Sequence, residues 1–252
     1  MKKKILVIAS NYGLWAEELQ APWDALQKAG FDLTLATKLG KTPLPIKVSM
    51  DAEMIDPKQN YNVNPPEVVN RVNDILRNGE WDNPIKIENA NMDDYDSIVM
   101  VGGPGSPLDL TGNPYLHNLL LKAYKTGKII GGICYTLAAL AFTRDPENKN
   151  KSIIYGKKVT AHPHTWDFDF DFGYELVNTT PDNKGTDVIT PGFVFPLQYM
   201  VEDAVGPNGT VLADDTANRN KPCVAYDHPF ITALSVESSI AYGQLLVEVL
   251  SR

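Results

Sequence analysis

The chain has 252 residues, 43% hydrophobic and 21% charged, which is the composition of a globular protein with a substantial core. Its formal net charge of −8 argues against a nucleic-acid or anionic-membrane partner, because no basic stripe offsets the acidic residues. No window approaches about 18 uninterrupted apolar residues, so no transmembrane helix is expected. Two cysteines and no secretory signal predict a reduced, cytoplasmic protein.

Strand and helix patterns alternate along the chain, which predicts an α/β fold with a mainly parallel sheet. In chain order, the predicted strands are 4–10, 31–36, 97–101, 127–133, 157–160, 187–190, 223–226 and 231–234. The predicted helices are 17–29, 67–78, 114–126, 135–142, 196–205 and 238–250. The last two strands flank the turn 227–229 and are predicted to form a hairpin.

Two long stretches interrupt this alternation. Residues 38–95 are rich in Pro, Asn and Asp and far exceed the ~2–6 residues of a usual βα connection. We interpret them as an insertion that forms a cap beside the functional site, within a single domain that spans 1–252. Residues 152–185 form the second long connection, and they carry His162 and His164.

Cys134 lies where an apolar strand bounded by glycines turns directly into a helix rich in alanine and leucine. Such a turn predicts a side chain exposed above the sheet, and the N-terminus of the following helix favours a thiolate. A small buried core cysteine is the alternative interpretation. Cys223 lies in an apolar strand and is predicted to be an inert core residue.

A thiolate nucleophile needs a partner for proton transfer and donors for a developing oxyanion. Of the four histidines, His162 and His164 follow the end of a strand, where ligand sites of α/β proteins gather. Both are candidate bases, and the neighbouring Trp166 is a candidate for the pocket wall. The glycine-rich run 102–105 follows another strand, and glycine there permits close approach of the backbone to a ligand.

Acidic residues at two places invite a functional interpretation. Glu17 and Glu18 open the first helix, where negative charge complements the helix dipole. Asp167, Asp169 and Asp171 alternate with phenylalanine, which would place three carboxylates on one face of a strand and suggests a cation site. The same pattern fits a half-exposed strand with its acids facing water, so no metal is predicted.

The chain resembles the ThiJ/PfpI superfamily, a class I glutamine amidotransferase-like group that includes the parkinsonism-associated deglycase and chaperone/glyoxalase proteins. The matching segments are Ala16-Glu-Glu-Leu-Gln-Ala-Pro22, Val101-Gly-Gly-Pro-Gly105, Gly131-Gly-Ile-Cys134, Lys158-Val-Thr-Ala-His-Pro163 and Ser235-Val-Glu-Ser-Ser239. The resemblance implies a flavodoxin-like three-layer sandwich with helices on both faces, and 38–95 looks like the insertion of the larger chaperone/glyoxalase branch. It also implies a homodimer and a reaction on a small molecule that needs no cofactor.

The resemblance also implies a role for individual residues. Cys134 matches the family's nucleophilic, oxidation-prone cysteine, and Glu18 matches the glutamate that hydrogen-bonds the thiol or thiolate. The backbone N–H groups of Gly103 and Tyr135 match the oxyanion donors. His162 matches the histidine of a Thr-x-His-Pro segment in the parkinsonism-associated branch.

One position departs from the pattern of the family. Protease-like and chaperone-like members carry a histidine directly after the cysteine, and this chain has Tyr135 there. Three alternatives follow: His162 or His164 supplies the base, Glu18 transfers the proton alone, or catalysis is weak. No third acid of a triad is assigned.

The leading hypothesis is an enzyme that acts on small reactive carbonyls through the Cys134 thiolate, of the glutathione-independent glyoxalase or deglycase type. A cysteine amidase or peptidase is one alternative, and it would need a base within reach of the sulfur. A non-enzymatic redox sensor or stress chaperone is the other, with Cys134 oxidised beside Glu18.

Overall fold

A computed structural model describes residues 2–56, 60–168, 172–175, 187–190 and 195–252. The helices are α1 Ala16–Lys28, α2 Pro66–Asn78, α3 Ser106–Asp109, α4 Pro114–Lys125, α5 Leu137–Phe142, α6 His164–Phe168, α7 Leu197–Val205 and α8 Ser239–Leu250. The strands are β1 Lys4–Ile8, β2 Asp32–Thr37, β3 Ile85–Lys86, β4 Ser97–Met100, β5 Ile129–Ile133, β6 Arg144–Asp145, β7 Lys151–Ser152, β8 Lys158–Thr160, β9 Phe172–Glu175, β10 Asp187–Thr190, β11 Thr210–Leu212, β12 Val224–Asp227 and β13 Phe230–Ala233.

The main sheet has seven strands in the order β12-β13-β5-β4-β1-β2-β3. Every neighbouring pair is parallel except β12 and β13, which form the predicted antiparallel hairpin. The predicted α/β fold with a mainly parallel sheet is therefore confirmed. Because β1, β4, β5 and β13 run in the same direction, their carboxyl ends meet at one edge of the sheet.

Helices cover both faces of this sheet. A Cβ atom added at Gly131 in β5 would lie 2.4 Å from the hydroxyl of Tyr242 in α8. One added at the next residue, Gly132, would lie 3.5 Å from Leu140 in α5. Since successive residues of a strand face opposite sides, α8 and α5 lie on opposite faces. The strands between these layers are almost continuously apolar, as Ile5–Ile8 of β1 shows, because both faces are buried.

Local sequence explains where several helices begin and end. α4 follows Asn113, whose side chain accepts hydrogen bonds from the N–H groups of Tyr115 and Leu116, and Pro114 fills its first position. α2 ends at Gly79, which adopts the left-handed conformation with φ 68°. No helix in the described part of the chain is long and apolar enough to cross a membrane.

Residues 38–95 contribute to both the sheet and its helical layer. β3 extends the main sheet beside β2, and α2 packs against α1. The N–H of Ile46 donates to the carbonyl of Leu14 at 2.9 Å, and the N–H of Ala16 donates to the hydroxyl of Ser49 at 3.2 Å. The stretch is therefore anchored to the segment that leads into α1.

The structure differs from the predicted pattern directly after β8. Asp167 lies in the short helix α6, where alternation with phenylalanine predicted a strand, so that prediction is wrong. The N–H of Trp166 donates to the carbonyl of Pro163 at 3.0 Å and closes the first helical turn. This turn buries Asp167 instead of leaving it in water. Asp169 and Asp171 lie outside the described residues.

Candidate active site

Cys134 occupies a strained turn between β5 and α5. Its φ of 56° is in the left-handed region, which a side chain other than glycine seldom adopts. The hydroxyl of Thr136 stabilises the turn, because it accepts from the N–H of Ile133 at 2.9 Å and donates to the Ile133 carbonyl at 2.7 Å. The strand-to-helix turn predicted at this cysteine is present.

The thiol is nevertheless covered. Cys134 is only 4% exposed, so the prediction of an exposed side chain is wrong. The hydroxyl of Ser235, two residues after β13, lies 3.7 Å from the Cys134 sulfur. The side chain of Glu18, from α1, also covers the thiol. The sulfur therefore lies at the carboxyl edge of the sheet, beneath side chains from two other elements.

This burial raises the pKa of the Cys134 thiol well above its ordinary value. The negative charge of Glu18 raises it further, whereas the Ser235 hydroxyl and the Tyr135 N–H act in the opposite direction. The expected stabilisation of a thiolate by the N-terminus of α5 is thus outweighed by the loss of solvent. The Tyr135 N–H points at the sulfur, consistent with a donor role.

Glu18 is the carboxyl group next to the thiol. It is 1% exposed, and among the described residues neither of its oxygens has a hydrogen-bond partner of ordinary length. Burial raises the pKa of Glu18 well above its ordinary value, and the neighbouring Cys134 and Ser235 side chains offset only part of this effect. The charges of Glu237 and Glu17 raise it further. Glu18 and Cys134 therefore both hold protons more tightly than free side chains do.

Gly102 allows Glu18 and Cys134 to meet. A Cβ atom on Gly102 would lie 2.3 Å from the Glu18 Oε2 and 2.7 Å from the Cys134 Cβ, distances that no side chain can accept. Gly103 has φ 128°, and a Cβ there would lie 2.4 Å from the backbone nitrogen of Trp15. The glycine run is thus required by close packing at the end of β4.

Tyr135, His162 and Asp167 form a second cluster, which includes the residue directly after the cysteine. The rings of Tyr135 and His162 lie 5.0 Å apart between centroids. His162 Nδ1 lies 2.7 Å from Asp167 Oδ1, and the Tyr135 hydroxyl donates to the same oxygen. Burial and then the Asp167 charge raise the pKa of Tyr135 well above its ordinary value, so its hydroxyl keeps its proton. Asp167 is thus the carboxyl group in contact with His162, a pairing for which the sequence analysis assigned no acid.

The other two predicted residues occupy different positions. His164 Nδ1 lies 2.9 Å from the Gln198 side-chain oxygen, and its ring stacks on Tyr199 at 5.1 Å, so its contacts are with α7. Trp166 packs edge-on against the His162 ring at 5.2 Å. The structure therefore brings Trp166 to the cluster and turns His164 toward α7.

Glu17 has a different partner from its neighbour Glu18. Both Glu17 oxygens accept from the Arg219 guanidinium, which also donates to the carbonyl of Val63 at 2.8 Å. Burial is the largest influence and raises the pKa of Glu17, although the Arg219 contact lowers it. This ion pair connects the start of α1 with the stretch 38–95.

Sequence reasoning missed three contributors: Asp167, Ser235 and Gly102. Ser235 lay in a quoted motif without a role, and Gly102 was one of several glycines. Asp167 was considered only as part of an acidic strand. Among the described residues, no group of three or more metal-ligating side chains converges.

A mainly parallel sheet with a cysteine at a strained strand-to-helix turn, facing a buried glutamate from the first helix, defines a class of α/β proteins with a cysteine at this turn. The chain belongs to the DJ-1/PfpI family, whose model matches residues 3–179. The predicted ThiJ/PfpI membership is confirmed.

Known proteins of this family show both sequence and structural similarity to the chain. It is 24% identical over 181 residues to a glutathione-independent glyoxalase of Schizosaccharomyces pombe, covering 64% of this chain and 68% of that protein. The rapid encystment protein of Francisella tularensis matches with a TM-score of 0.72 at 19% identity, over 99% of both chains. Glyoxalase III of Candida albicans matches with a TM-score of 0.64 at 15% identity, over 98% of this chain and 96% of that one. These structural matches confirm the flavodoxin-like fold.

Proposed function

We propose that this protein is a cysteine-dependent enzyme that converts small 2-oxoaldehydes into 2-hydroxy acids without glutathione. The observation that supports it most is the buried pair of Cys134 and Glu18, a nucleophile in contact with a carboxyl group whose pKa is raised well above its ordinary value. The name of the Schizosaccharomyces pombe relative, a glutathione-independent glyoxalase, agrees with this chemistry.

In the first step, the Cys134 sulfur adds to the aldehyde carbon of the substrate. Glu18 gives its proton to the carbonyl oxygen and takes up the proton of the thiol, so the product is a neutral hemithioacetal and Glu18 is again a protonated acid. The N–H groups of Tyr135 and Gly103 stabilise the oxygen while its negative charge develops. The raised pKa of Glu18 suits it to deliver this proton near neutral pH.

The second step moves one hydrogen between neighbouring carbons. A base removes the proton from the former aldehyde carbon, which gives an enediolate, and returns it to the adjacent carbon. The hydroxyl proton of the first carbon moves to the oxygen of the second, and the product is a 2-hydroxy thioester. Water then attacks the thioester carbon, the C–S bond breaks, and the sulfur regains its proton. The net change is the addition of one water to the oxoaldehyde.

Burial of the sulfur supports a small substrate. At 4% exposure, Cys134 is not accessible to a folded polypeptide, which favours a substrate of a few heavy atoms. This accessibility disfavours a peptidase that acts on folded proteins.

The test is to incubate the purified protein with methylglyoxal and measure lactate. We expect Cys134→Ala to abolish lactate formation and the matched Cys223→Ala to leave it unchanged, since Cys223 directly precedes β12 and is not part of the strand-to-helix turn. Equal rates for wild type and Cys134→Ala would refute the proposal.

A cysteine amidase is a second candidate, because Asp167 and His162 supply an acid–histidine pair against Tyr135, the residue after the cysteine. It predicts an acyl-thioester on Cys134 that mass spectrometry detects after incubation with small amides. Lactate formation without such trapping would favour the glyoxalase.

Three further expectations from the sequence stay predictions. Selective oxidation of Cys134 by mild peroxide would support a redox role. A homodimer is testable by sedimentation, and the cytoplasmic location by fractionation of cells.

A further inference from the structure

The residue that acts as the base of the second step does not follow from the family pattern, because Tyr135 replaces the histidine expected after the cysteine. We propose that Asp167 and the side-chain hydroxyl of Tyr135 are positioning residues that fix His162 as this base, with its proton on Nδ1 and its acceptor on Nε2. The inference rests on the proposed function for its chemistry but on the geometry of the cluster for the assignment.

The hydrogen bonds of Asp167 Oδ1 determine the tautomer. This oxygen accepts from the Tyr135 hydroxyl, and His162 Nδ1 lies 2.7 Å from it. A carboxylate oxygen only accepts, so the ring nitrogen at this distance must carry a hydrogen. In the neutral ring, Nε2 is then the nitrogen that can take up a proton.

Tyr135 strengthens this arrangement in two ways. Its hydroxyl lies 3.4 Å from His162 Nδ1, so both donors converge on one oxygen and hold the carboxylate in a single direction. Burial keeps the phenol protonated, so it acts as a donor to Asp167 throughout the neutral range. Asp167 itself is fully buried, and solvent does not compete for this oxygen.

The position of the ring is fixed as well. His162 lies two residues after β8 and directly before Pro163. Trp166 in α6 packs edge-on against its ring. Its side chain is 12% exposed, so the imidazole is mostly enclosed but still accessible to a small molecule. The ring therefore has the restricted orientation that a general base requires.

The assignment separates the two proton transfers of the proposed reaction. Glu18 serves the oxygen of the hemithioacetal, and His162 Nε2 removes the carbon-bound proton and returns it to the neighbouring carbon. His162 takes up one proton and releases it again, so it ends in the protonation state in which it began. Tyr135 and Asp167 act only through His162.

The first measurement requires no turnover. Long-range 1H–15N spectra of the full-length protein with labelled histidine distinguish the two tautomers, and the variant His162→Gln identifies the signals of His162. We expect the Nδ1–H tautomer in the wild type and its loss in Asp167→Leu, which removes the acceptor. The Nε2–H tautomer in the wild type would overturn the assignment.

The second measurement is the kcat for lactate formation. Asp167→Leu is expected to lower it by about 100-fold or more. Asp167→Asn retains an acceptor oxygen and removes the charge, so it should keep the tautomer yet lose activity. Tyr135→Phe removes one donor and is expected to lower kcat by about tenfold, against no change for the exposed control Tyr115→Phe.

The two measurements separate the possible failures. A wild type without lactate formation refutes the proposed function, while the spectra still decide the tautomer. Full activity in a folded Asp167→Asn or Asp167→Leu variant, verified by circular dichroism, refutes the role of the cluster alone.

Discussion

Two carboxyl groups near Cys134, Glu18 and Asp167, are both buried and have opposite surroundings. Among the described residues, Glu18 has no hydrogen-bond partner of ordinary length, whereas Asp167 Oδ1 accepts from a tyrosine and contacts a histidine nitrogen. At Glu18, burial outweighs the weak donors and raises the pKa, whereas the two contacts of Asp167 Oδ1 hold that oxygen in one direction as an acceptor. The same functional group is thereby suited to deliver a proton in one place and to position a base in the other.

The largest expected effect concerns the donor of the first step. Glu18→Gln keeps the shape of the side chain but cannot deliver a proton, so turnover of methylglyoxal should fall by about 100-fold or more. Steady-state lactate assays measure this loss. Turnover within a factor of about two of wild type would mean that Glu18 does not deliver the proton, and the contrast drawn with Asp167 would be wrong.

Gly102→Ala tests the packing that joins Glu18 to Cys134. The added methyl group would lie 2.3 Å from the Glu18 Oε2 and 2.7 Å from the Ile133 carbonyl oxygen, and that backbone oxygen cannot move easily. We expect a loss of about 3 kcal/mol in the free energy of unfolding, with loss of activity. The control is Gly112→Ala, where nothing lies within 4 Å of the added atom. Equal urea midpoints for the two variants would contradict this account.

Arg219→Gln tests why Glu17 differs from its neighbour Glu18. It leaves Glu17 buried without a cation, and we expect a destabilisation of about 2 kcal/mol near pH 8. The pKa of Glu17 in the folded protein is already raised and would rise further, so folding retains a proton that the unfolded chain releases. The loss should therefore be smallest below the ordinary glutamate pKa and grow as the pH rises through the folded-state pKa.

Urea unfolding at about pH 5 and pH 8 measures this difference. The exposed pair of Arg77 and Asp74 offers a matched control, since Arg77→Gln should change stability by less than about 0.5 kcal/mol at either pH. A pH-independent loss in Arg219→Gln would exclude Glu17 as its cause.

The smallest expected effect is a shift in the reactivity of the thiol. At high pH Glu18 ionises before the thiol, and burial together with this charge raises the pKa of Cys134, so its alkylation by iodoacetamide should accelerate with pH beyond the range of a free cysteine. Glu18→Gln removes the charge and should lower the midpoint by about one pH unit. Rates measured in a Cys223→Ser background would show this, and an unchanged or higher midpoint would contradict it.

The alternation of apolar strands and amphipathic helices was readable because it depends on neighbours along the chain. Helix bounds agree within a few residues; α1 was expected at 17–29 and spans Ala16–Lys28, and α2 was expected at 67–78 and spans Pro66–Asn78. The strand-to-helix turn at Cys134 was also local, since an apolar strand directly before a helix leaves only a tight turn. α6 was missed because five residues of alternation are too few to outweigh the contacts that bury Asp167.

The sequence by itself determined the sheet, the family, and the presence of a cysteine and a glutamate at its functional edge. Tertiary structure decided the chemistry of those groups. Burial by Glu18 and Ser235 reversed the expected direction of the thiol pKa, because the loss of solvent outweighs the field of a short helix. It also assembled Tyr135, His162 and Asp167 from a turn, a strand end and a helix, because hydrogen bonds between distant segments leave no periodic pattern in the chain.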